Sequence, residues 1–75
     1  MKGQIMKIID TWYITREDNS RYTKFFCDNG YTIELESEPT IKYSVKGKTG
    51  RAVYNQSSID KAVKAVNTYY DNLGA

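Results

Sequence analysis

The apolar residues of this chain change period near residue 55, and that change limits the fold more than any other feature. Ile59, Ala62, Val63, Val66, Tyr70 and Leu73 recur at steps of three and four, which lines one stripe of a helix. The spacing predicts a helix over 58–72, with Ser57 or Ser58 as its cap, Asp60 favourable in its first turn and Gly74 as its stop. Lys61, Lys64, Asn67, Thr68 and Asp71 form a polar outer face, on which Asp60 and Lys64 are spaced to pair. One amphipathic helix cannot bury its own stripe, so the rest of the chain must supply a second layer.

That remainder has the alternation of strands. Met6, Ile8, Trp12 and Ile14 share one side of a strand over 5–16, with Asp10 interrupting and Lys7, Thr11 and Thr15 on the wet side. Asp18-Asn19-Ser20 has turn chemistry, and 21–28 is a second strand rich in aromatic and β-branched residues. Asn29-Gly30 is a two-residue hairpin signal. With that turn Asp28 pairs with Tyr31 and Phe26 faces Ile33, while Tyr31, Ile33 and Leu35 point inward and Thr32, Glu34 and Glu36 outward. Pro39 ends the third strand. Ile41, Tyr43 and Val45 then alternate with Lys42, Ser44 and Lys46, Gly47-Lys48-Thr49-Gly50 is a turn, and 51–54 returns as a short strand. The expected fold is α+β: a five-stranded antiparallel sheet, meander plus hairpin, with the C-terminal helix packed on one face over Trp12, Ile14, Phe26, Ile33 and Leu35. The alternative is a curled five-stranded barrel closed by the helix.

At 75 residues the chain has apolar surface for one core, so 1–75 reads as a single domain. No stretch approaches the roughly 20 apolar residues of a membrane span, and the first residues lack the apolar run of a signal peptide, which predicts a cytoplasmic protein with no membrane partner. Cys27 is the only cysteine, so an internal disulfide is excluded and a reducing compartment fits. There is no histidine, which removes the commonest general base and metal ligand.

Candidate chemistries are correspondingly few. Gly47-Lys48-Thr49 matches the end of a phosphate-binding loop, but the glycine required five residues earlier is Lys42, and the next residues read as strand rather than helix. Glu34, Glu36 and Glu38 alternate along one strand and could gather three carboxylates, although such a stripe is ordinarily a solvated face. Cys27 lacks a histidine to activate it and reads as a small half-buried apolar residue. These readings give no enzyme, no cofactor and no metal.

Surface recognition is the remaining class. Seven tyrosines accompany Trp12, Phe25 and Phe26, more aromatic surface than so small a core can hide. The net charge is only +2, yet Asp28, Glu34, Glu36 and Glu38 form an acidic segment followed by a basic one of Lys42, Lys46, Lys48 and Arg51. The candidate partner-binding residues are Lys42, Tyr43, Lys46, Lys48, Arg51 and Tyr54, on the second hairpin. They point to a non-enzymatic module that binds another protein, with nucleic acid held by the same basic aromatic hairpin as the alternative. A homodimer through exposed aromatics is a further expectation. The acidic strand face and the basic hairpin are expected on opposite sides, beyond the ~10 Å of electrostatic coupling.

The segment Asn55-Gln56-Ser57-Ser58 leading into Ile59-Asp60-Lys61-Ala62-Val63-Lys64-Ala65, after a run of strands, resembles small sheet-and-helix DNA-binding modules of plant regulators and phage integrase arms. The likeness covers the last third of the chain. The arginine- and tryptophan-rich reading strands of that group are not matched, so no binding residue carries over. In size, aromatic content and lack of catalytic groups the chain is also similar to small phage proteins that inhibit bacterial enzymes or defence systems.

Overall fold

The computed structural model describes residues 6–74. In chain order the elements are β1 (Ile8–Thr15), β2 (Arg21–Cys27), β3 (Thr32–Glu36), β4 (Lys42–Lys46), β5 (Ala52–Val53) and α1 (Gln56–Leu73). The strands form one open antiparallel sheet in sequential order, with β1 and β5 at its edges, and the helix packs on one face. The α+β expectation holds, and the barrel alternative is set aside because the sheet does not close. Ile5, at which the alternation began the first strand, lies outside the described residues.

Three of the four strand connections share one design. The Arg16 N–H donates to Ser20 C=O, Cys27 N–H to Tyr31 C=O and Gly47 N–H to Arg51 C=O, and each pair encloses a three-residue loop. The third loop residue donates its N–H back to the first residue of the pair, and this third residue, Asn19, Gly30 or Gly50, has positive φ of 70°, 87° or 83°. This is a tight turn closed by a bulge residue, and positive φ explains why glycine or asparagine stands there. The fourth connection, from β3 to β4, contains Pro39, where its missing N–H removes nothing from a ladder.

Loop length corrects the expected register. Asn29-Gly30 does not close a two-residue turn; the loop is Asp28-Asn29-Gly30, and Cys27 rather than Asp28 opposes Tyr31. The extra residue moves every β3 partner of β2 by one position. Phe25 therefore faces Ile33 and Phe26 faces Thr32. Because alternate side chains point to opposite faces, Phe25 turns to the helix and Phe26 away from it.

In β1 a bulge does the same. Ile8 opposes Cys27, but Asp10 opposes Phe26, so the register slips at Ile9. Met6 and Ile8 face the helix as expected, whereas beyond the bulge Thr11 and Tyr13 take that side and Trp12 and Ile14 the other. The expectation that the helix covers Trp12, Ile14 and Phe26 is overturned, while Ile33 and Leu35 keep their places.

The core consists of Met6, Phe25, Cys27, Ile33, Val45, Ala62, Ala65 and Val66, with Ile8, Tyr31, Leu35, Tyr43, Val53, Ile59 and Tyr69 packed around it. Phe25 is fully buried, edge-on to Tyr69 at 5.6 Å and Tyr70 at 6.1 Å. Two alanines on the buried stripe let the helix lie close to the sheet, and burying Val66 contributes roughly 1.5 kcal/mol or more. The stripe is rotated from the expected one: Ala65 and Tyr69 join it, and Leu73 is exposed. Asn55 caps the helix instead of Ser57 or Ser58, its side chain accepting from the Ser58 N–H at 2.8 Å. Asp60 accepts from the Gln56 side chain at 2.9 Å.

Candidate functional site

The bulge at Ile9 and the three-residue loop after Cys27 together build an aromatic surface on the face of the sheet that the helix leaves open. Two cross-strand rows can be read from the register, Asp10, Phe26, Thr32, Lys46 and Ala52, and Trp12, Lys24, Glu34 and Ser44, beside which stand the pairs Ile14–Tyr22 and Glu36–Lys42. Trp12 is 55% exposed and meets Phe26 edge to face, with ring centroids 5.3 Å apart. Its indole N–H donates to Asp10 Oδ2 at 3.0 Å, which sets the ring's orientation. Lys24 Nζ stands 5.5 Å from the Phe26 ring, and the Arg16 guanidinium 4.2 Å from that of Tyr22, both within cation–π range.

Charges on this face are interleaved. Lys46 Nζ lies 3.0 Å from Glu34 Oε2, Arg16 lies 3.3 Å from Glu36 Oε1, and Lys42 is directly opposite Glu36. The expected separation of acidic and basic surfaces is therefore wrong. The two segments occupy the neighbouring antiparallel strands β3 and β4, which brings their outward side chains onto one face and pairs them. Glu34 and Glu36, two of the proposed carboxylate trio, are each held by a cation, and Glu38 lies beyond the strand in an exposed loop. Among the described residues no group of three or more His, Cys, Asp or Glu is placed to hold a metal ion.

The six residues of the second hairpin do not gather at one place. Lys42 and Lys46 stand on the open face, Tyr43 turns to the helix side and packs against the core, and Tyr54 is 86% exposed just before the helix. Lys48 and Arg51 lie in the loop and at its end. They border an open groove of about 510 Å³ between the two loops at one end of the sheet, with Asn29 and Tyr31 on its other side. A Cβ at Gly30 would come within 2.9 Å of Lys48 Cγ, so the lysine stem lies across the glycine and the two loops touch.

Sequence reasoning missed Trp12, Tyr22, Lys24 and Phe26 as surface residues. The signal for Trp12 was Asp10, a charge on the side then assigned to the core, which the bulge explains. Cys27 is buried, and burial, reinforced by the Asp28 charge, pushes its thiol up to about 11, far from a reactive thiolate. Burial raises the Tyr70 phenol as well, helped by Tyr13, Tyr69 and Tyr43 around it.

No helix among the described residues is long and apolar enough to cross a membrane. Compared with protein-family models, with curated proteins and with solved structures, the chain matches none.

Proposed function

We propose that this chain is a non-enzymatic binding module that recognises another protein through the open face of its sheet, with Lys48 and Arg51 contacting the partner at the face's margin. The observation that carries this reading is the position of Trp12, half exposed and propped on Phe26 and Asp10 at a fixed angle. An aromatic ring held rigidly in water loses little conformational freedom when covered, and tryptophan, tyrosine and arginine dominate binding energy at protein interfaces. Tyr22 and Arg16 stand on the same face.

Charge favours a protein over nucleic acid as the occupant. The face carries Arg16, Lys24, Lys42 and Lys46 against Asp10, Glu34 and Glu36, a near balance with carboxylates at its centre. A phosphate backbone needs uncompensated cations, whereas a polar protein surface matches alternating charges.

The test uses the tagged chain as bait in a bacterial lysate, the source suggested by the resemblance to phage inhibitors. In parallel, single- and double-stranded DNA and RNA are titrated against the fluorescence of Trp12, the only tryptophan. The expected result is a protein retained by the wild type and released by Trp12→Ala with Phe26→Ala, circular dichroism being unchanged. Nucleic acid that changes Trp12 emission with a steep salt dependence, without any protein lost in the double variant, overturns the reading.

A further inference from the structure

The β1 edge of the sheet is eight residues long, while the β5 edge is two. Edge strands left open are usually blunted by lysine, proline, a bulge or a covering loop, and the bulge of β1 lies at Ile9, before the stretch 10–15. Among the residues of β1 there is no lysine and no proline, and its one charge is Asp10. Ile9 is 63% exposed and Tyr13 74%.

The direction of the backbone groups along this edge follows from the ladder. Arg16 both donates to and accepts from the β1–β2 loop, so it points inward, and with it Ile14 and Trp12. Thr11, Tyr13 and Thr15 therefore direct N–H and C=O outward. The Thr11 N–H is already taken by Asp10 Oδ1 at 2.9 Å, which agrees with this assignment.

We propose that β1 pairs antiparallel with β1 of a second copy of this chain about a twofold axis at Tyr13, joining two five-stranded sheets into one of ten. Only a second copy meets its own edge in a register where the residue numbers of each facing pair sum to twice thirteen, and in this register every facing pair is compatible. Tyr13 faces Tyr13, and Thr11 faces Thr15. On the open face Trp12 meets Ile14, and Asp10 meets Arg16. The two acid–base pairs are related by symmetry, as a self-complementary contact requires. Tyr13 N–H to Tyr13 C=O and Thr15 N–H to Thr11 C=O, each made twice, leave the Asp10–Thr11 bond undisturbed. Asp10 leans to the edge through that bond, and the second copy's Arg16 reaches it by turning outward from Glu36, which it meets at 3.3 Å within its own copy. The pairing does not depend on which protein occupies the open face; it would set two such faces side by side.

Sedimentation velocity of the full chain over a wide concentration range reads the equilibrium, and a concentration-dependent dimer is expected. Thr15→Pro removes an outward N–H that β2 does not use, and so weakens the dimer by about tenfold or more through two lost bonds. Asp10→Arg and Arg16→Glu each weaken it, and the two together restore it if the acid faces the base across the axis. Tyr13→Cys is expected to crosslink the dimer under mild oxidation, since facing Cα atoms in such a pair are about 5.5 Å apart, whereas Tyr54→Cys does not. Buried Cys27 does not compete. A chain that remains monomeric at every concentration up to about 1 mM, or crosslinks no faster through Tyr13→Cys than through Tyr54→Cys, overturns the proposal. So does a dimer unaffected by Thr15→Pro.

Discussion

Lys46 on β4 reaches diagonally across the sheet to Glu34 on β3, Nζ to Oε2 at 3.0 Å, and joins the basic segment of the chain to its acidic one. The Lys46 side chain is 41% exposed and that of Glu34 18%, so the pair is half screened by solvent. Lys46→Glu is expected to destabilise the fold by about 1 kcal/mol by replacing attraction with repulsion, and Glu34→Lys by a similar amount. The double exchange is expected to return most of the loss. Urea midpoints of the four proteins check this; a double variant as unstable as the sum of the singles would show that the contact contributes nothing.

Phe25 and Phe26 are adjacent in sequence and opposite in fate. Phe25 has no exposed surface and packs against Tyr69 and Tyr70, so Phe25→Ala is expected to cost about 3–5 kcal/mol, enough to unfold much of a domain this small. Phe26→Ala, on the open face, is expected to cost well under half of that. Thermal melts followed by circular dichroism distinguish them, and equal losses would place both rings in the core.

Thr11 stands opposite Phe25 on the helix side, and its Oγ1 is buried with no hydrogen-bond partner among the described residues. A hydroxyl removed from water without compensation is a standing cost. Thr11→Val keeps the shape and removes the oxygen, and is expected to raise the urea midpoint by an amount equivalent to about 1 kcal/mol. A lower midpoint would mean that the hydroxyl is satisfied in solution.

Cys27 determines part of the alkaline stability. Its thiol is raised from 9.0 to about 11 by burial, so between these values the folded chain keeps a proton that the unfolded chain releases. The unfolded state then binds fewer protons, and stability falls as pH rises from about 9 to 11. The raised Tyr70 phenol acts in the same direction. Cys27→Ala is expected to flatten the decline, seen in denaturation midpoints at pH 8 and 10.5. Iodoacetamide is expected to label native Cys27 at pH 8 far more slowly than the denatured chain, and labelling at equal rates would show the thiol to be accessible.

The helix, the strand order and the turn positions were legible because each is decided within a few residues. The 3.6-residue period of Ile59, Ala62 and Val66 specifies a helix, and the glycine or asparagine that ends each tight loop, Asn19, Gly30 or Gly50, supplies the positive φ that the turn needs. The faces of β1 and β2 were not legible. A strand's side chains alternate with a period of two, so a single added residue reverses faces on one side of it: Ile9 in the bulge does so for the residues that follow it in β1, and the third residue of the loop at Gly30 for those of β2 that precede it. Local composition barely distinguishes a two-residue turn from a three-residue one. The packing that chooses, Phe25 beneath Tyr69 with Ile33 opposite, joins positions far apart in the chain. The same choice carried Trp12 and Phe26 to the open face, while the pairing of β3 with β4 set Lys46 beside Glu34. The residue types able to recognise a partner were thus determined by the sequence alone, and the surface on which they meet was decided by the register of the folded sheet.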